Sequence, residues 1–119
     1  MAVDMELRKA FSELQKKMVE TQTQVKICDA QINALALEGK KTILTTKEIQ
    51  SLPTDVKLYE SVGRMFILQP RSNVIDNLNG KRKDAEAKTK ELEAKKTYLI
   101  RNVKSSEENL REMVSQRRK

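Results

Sequence analysis

Apolar positions along the chain fall into two regimes. From Asp4 to about Lys40 they recur as Leu7, Phe11, Leu14, Met18, Val25, Cys28, Ile32 and Leu35, with gaps alternating four and three. Thr21 alone breaks the row. Such a heptad seam predicts an amphipathic helix of the coiled-coil kind over 4–40. Asp4 reads as its N-cap, and Glu6 suits the positive end of the dipole. Gly39 reads as the C-terminal cap, with Lys40 and Lys41 complementing the negative end. The period returns as Ile75, Leu78, Ala85, Leu92, Leu99, Val103, Leu110 and Met113, which predicts a second helix over 72–116 capped by Ser72. Three seam positions there hold Arg82, Thr89 and Lys96 instead. Gly80 costs about 1 kcal/mol of helix propensity and marks a candidate bend. Asp84–Lys88, Glu86–Lys90, Glu91–Lys95 and Glu107–Arg111 stand four apart in the favourable order and support an exposed helix face.

Between the helices the period changes from heptad to alternating. Lys57 to Gln69 reads Lys-Leu-Tyr-Glu-Ser-Val-Gly-Arg-Met-Phe-Ile-Leu-Gln, two strands around Gly63. This predicts a β-hairpin over 57–69, closed by Pro70, which cannot extend a ladder. The connector before it, 41–56, has capping-box spacing from Thr45 to Glu48 and predicts a short helix stopped near Leu52-Pro53. Side chains alternate across a strand, so Met65-Phe66-Ile67-Leu68 is apolar on both faces. Burying one such side chain stabilises by about 1.5–3 kcal/mol. Four of them involve about 6–12 kcal/mol, comparable to the whole stability of a typical domain.

The expected fold is mainly α: a long antiparallel α-hairpin coiled coil with one β-hairpin in its connector. Antiparallel pairing buries both seams within one chain. It places the hairpin at one end and both termini at the other. Two registers one heptad apart are open. The one that sets Thr21 opposite Lys96 is preferred, because it groups the polar seam positions.

Composition narrows the function. The chain has 119 residues, 34% charged and 38% hydrophobic, with few aromatics, which suits long helices better than a globular core. It fits one domain at most. No apolar run spans a membrane, and the first residues lack a secretory pattern. The net charge of +7 is spread through interleaved acids and bases, with only Arg117-Arg118-Lys119 as a one-sign run. Solvated helix faces account for it. A basic adaptor that binds nucleic acid or scaffolds a complex is the alternative. The chain has no histidine and one cysteine, Cys28, which lies on the seam as a small packed thiol. The usual general base, a zinc ligand set and a phosphate-cradling glycine loop are all missing, so no catalytic, cofactor or metal residues are assigned.

Two surfaces remain as candidates. The hairpin residues Leu58, Tyr59, Val62, Gly63, Met65, Phe66, Ile67 and Leu68 have little helix surface to pack on and read as an assembly site. At the free ends, Leu7, Phe11 and Leu14 with Leu110, Met113 and Val114 form a soft apolar surface where the helices part. Methionine adapts well to varied partners.

Four pieces resemble β-type prefoldin subunits. They are Ala10-Phe11-Ser12-Glu13-Leu14-Gln15; Val62-Gly63-Arg64-Met65-Phe66-Ile67-Leu68-Gln69; and Lys95-Lys96-Thr97-Tyr98-Leu99 with Asn109-Leu110-Arg111-Glu112-Met113. The Gly-Arg-Met-Phe segment is the most specific, and the likeness extends along essentially the whole chain. The resemblance implies a cytoplasmic hexamer of two α-type and four β-type subunits. Its hairpins would join an intersubunit β-barrel. Its coiled-coil tips would hold non-native polypeptide, including actin- and tubulin-like clients, and pass it to the cytosolic chaperonin without ATP or any cofactor. Neither a membrane nor nucleic acid is an expected partner.

Overall fold

The computed structural model describes residues 2–118, so Met1 and Lys119, the last of the basic run, lie outside the described residues. The element order is α1 (Ala2–Ser51), β1 (Leu58–Val62), β2 (Met65–Gln69) and α2 (Arg71–Arg118). The fold is therefore the expected one, two long helices joined through one antiparallel hairpin. The residues group into two compact units. One holds the chain up to Gln31 and from Glu91 onward; the other is Ile32–Lys90.

Several expected boundaries shift. Helix α1 does not stop at Gly39 but continues to Ser51. The seam explains this. Beyond Leu35 its positions fall on Gly39, Thr42, Thr46 and Ile49, and both Thr42 and Ile49 are buried. The side chains of this stretch bury what a continued helix buries, which outweighs the cost of one glycine. No separate connector helix forms. Thr45 caps nothing; its hydroxyl donates to the Lys41 carbonyl 2.8 Å away, as threonines inside helices do. The helix ends where Pro53 excludes an amide, with the Leu52 amide bonded back to Ile49. Asp4 sits inside α1, not before it. At α2, Pro70 and not Ser72 precedes the helix, and its carbonyl accepts the first helical bond from the Val74 amide at 3.2 Å. Helix α2 runs unbroken through Gly80.

In the first unit the two helices are antiparallel, since Lys17 meets Ser106 while Asp29 meets Lys96. The Lys17 ammonium donates to Ser106 Oγ at 3.0 Å and Asn102 Oδ1 at 3.3 Å. Lys96 Nζ lies 2.7 Å from Asp29 Oδ1. The preferred register is thereby overturned. Thr21 shares a cavity with Val103, one heptad away from Lys96. Grouping polar seam residues together left Lys96 without an anion, whereas the observed register gives it Asp29. That carboxylate's hydrogen bond, then its charge, raises the Lys96 pKa above the ordinary lysine value. Cys28 and Leu110 are the buried apolar residues of this unit.

In the second unit Ile49, Ala85 and Thr42 are buried. Across all described residues only five are buried, and 9852 Å² of surface is accessible. The four same-helix pairs expected on α2 are not among the ion pairs closed between described residues, such as Lys96–Asp29 and Arg117–Glu6. Exposed pairs of that kind contribute little, so their absence costs little.

Candidate functional site: an uncovered hairpin

Gly63 makes the hairpin possible. The strands pair in register from Leu58↔Gln69 to Val62↔Met65, which leaves a two-residue loop of Gly63 and Arg64. Gly63 has φ of 61°, and among the described residues it is alone in the positive region. Glycine first and a negative-φ residue second is the pattern of a type II′ turn, whose twist matches that of the strands. Val62 is spared the left-handed region because it ends β1.

The pairing sorts the side chains. Tyr59, Ser61, Phe66 and Leu68 share one face; Leu58, Glu60, Val62, Met65 and Ile67 share the other. Neither face is covered. Phe66 is 72% exposed, Met65 64% and Leu68 55%; Tyr59, Val62 and Ile67 are exposed too, and Leu58 alone of the apolar strand residues is half-buried. In a two-stranded sheet each strand also has one edge without a ladder partner. Apolar faces and free edges together form a surface that another chain can cover and extend.

The residues expected at the free ends divide. Phe11 and Met113 are exposed, Leu7, Leu14 and Val114 are half-buried, and Leu110 is buried. The helices do not splay there, since Arg117 pairs with Glu6 at 3.0 Å. A cavity of about 290 Å³ opens among Ala10, Leu14, Lys17, Ser106, Leu110 and Met113, so the site is a groove beside the seam. Met5, 74% exposed, was missed. So were Leu37 and Leu44, exposed seven residues apart on α1; their spacing off the main seam was the available signal. Among the described residues no group of three His, Cys, Asp or Glu side chains could hold a metal ion. Among the described residues no helix is long and apolar enough to cross a membrane.

Comparison with known proteins follows the same lines. The sequence matches the family described as Prefoldin subunit over residues 12–117. Prefoldin subunit 1 of Danio rerio is 53% identical over 116 residues, covering 98% of this chain and 95% of its own. The Homo sapiens protein of that name is 51% identical over the same shares. That of Arabidopsis thaliana is 35% identical over 109 residues, covering 92% of this chain and 85% of its own. The crystal structure of the prefoldin beta subunit from Thermococcus strain KS-1 superposes with a TM-score of 0.73, covering 90% of each chain. At 20% identity that likeness speaks to the fold. A family match over 12–117 and half-identical relatives along nearly the whole length lead to one conclusion: the chain belongs to the prefoldin subunit family.

Proposed function

We propose that the chain is one subunit of a hexameric, cytoplasmic prefoldin co-chaperone of two α-type and four β-type subunits. It assembles through Leu58, Tyr59, Val62, Gly63, Met65, Phe66, Ile67 and Leu68 in a β-barrel shared with partner subunits. It holds non-native actin- and tubulin-like polypeptide along Leu7, Phe11, Leu14, Leu110, Met113 and Val114, and hands it to the cytosolic chaperonin. It does this without catalysis, ATP or a cofactor.

The single observation that carries this reading is the hairpin that is apolar on both faces and exposed on both. A stable monomer gains nothing from such a ribbon, because exposed apolar strands are an aggregation hazard unless a partner covers them. Family membership supports the same reading. The test is co-expression of the Phe66→Asp, Leu68→Asp variant with partner subunits. The double variant should be absent from the purified complex while its helical signal persists. Incorporation at wild-type levels would refute the assembly role.

A further inference from the structure

A cavity of about 250 Å³ opens between α1 and α2 in the second unit, lined by Thr42, Thr46, Lys47, Gln50, Asn79 and Arg82 among others. Its polar groups are unbalanced. The Thr42 hydroxyl donates to the Glu38 carbonyl and the Thr46 hydroxyl to the Thr42 carbonyl. Lys47 and Arg82 bring two cations, Gln50 and Asn79 bring two amides, and no carboxylate lines the space. Arg82 stands at a seam position where the heptad favours an apolar residue. Its Nε is buried and has no hydrogen-bond partner. Neither ion pair among the described residues includes it, and Glu86, one helical turn on, is not paired with it. A buried donor left unpaired costs free energy, which the Arg82 side chain would recover by turning its guanidinium toward an anion in the cavity.

We infer that this cavity is a socket for a carboxylate side chain of the chain that covers the β-hairpin. The inference rests on the assembly role proposed above. A guanidinium offers a planar fork that fits a carboxylate with two parallel bonds. Position supports a partner subunit as the source. Gln50 is one residue from the end of α1 and Asn79 is in the first turns of α2, and the hairpin connects those two ends within the same unit. A chain that covers the hairpin and runs on about 16 Å along α2, the rise from its start at Arg71 to Arg82, reaches the socket with a side chain, and that contact would fix its orientation as well as its affinity.

The test measures assembly of the full chain with its partner subunits across a salt series, for Arg82→Met and for Lys47→Met. Lys47 is exposed, so its variant keeps the fold whatever Arg82 does to the seam. Arg82→Met should lose about tenfold or more in assembly affinity, as truncating one side of a buried charge pair does. Lys47→Met should lose less, and both should flatten the salt dependence. Unchanged affinity and salt slope in both variants, with Phe66→Asp, Leu68→Asp still blocking assembly, would overturn the socket and leave the assembly role standing. Normal assembly of the hairpin variant would overturn the assembly role and the socket with it. Inorganic phosphate titrated onto the lone chain is the last arm: binding that disappears in Arg82→Met would reassign the cavity to a free anion and overturn the partner carboxylate.

Discussion

The paired helices of the first unit and the hairpin of the second treat the same kind of residue in opposite ways. Cys28 is 2% exposed and Leu110 8%, each covered by the other helix of its own chain. Phe66 and Met65, equally apolar, are 72% and 64% exposed. The difference is one of period. A heptad seam puts apolar residues on one stripe, which one partner helix covers. A strand that is apolar at every position needs cover on two faces, and a two-stranded sheet supplies neither. Cys28 and Leu110 on the seam are covered within the chain; Met65 and Phe66 of the hairpin are not.

That contrast can be broken or sharpened in steps of decreasing size. Leu110→Ala should cost about 2–3 kcal/mol, the low end for this substitution, because a two-helix seam collapses more readily than a closed core. Denaturant unfolding followed by helical circular dichroism reads it, and no loss would mean the first unit is not held by its seam. The glycines should respond with opposite signs. Gly63→Ala forces an alanine into the left-handed region, at about 1–2 kcal/mol, and should appear as weaker assembly with little change in helical melting. Gly80→Ala meets nothing within 4 Å and should stabilise α2 by about 1 kcal/mol, read as a higher Tm. Smallest in stability is Phe11→Ser with Met113→Ser. Both positions are exposed, so the change should stay within about 0.5 kcal/mol. Suppression of aggregation of a denatured client should nevertheless fall in the assembled complex. Undiminished suppression would remove these two residues from the client surface.

The parts legible in the sequence were those set by period. Both helices and the hairpin followed from spacing alone, and the exposure of Met65, Phe66 and Leu68 followed from apolar residues on both faces. What escaped was decided between elements. Gly39 looks like a terminus by local propensity, but Thr42 and Ile49 continue the seam, and burial outweighs propensity. The helix register is marked by Lys96 meeting Asp29, a contact no heptad count contains. The free ends were legible in outline, yet Arg117 meets Glu6 across them and Leu110 is buried. Arg82 was visible as an irregular seam residue; its buried, unpartnered Nε was not.

Hydrogen exchange at the amides of 58–69 tests the central claim most directly, measured in the lone chain and again in the complex with partner subunits. The hairpin amides should exchange rapidly in the lone chain, near the limit for marginal structure, and become strongly protected on assembly. Equal protection in both states would mean the ribbon is already covered by its own polypeptide, which contradicts the account.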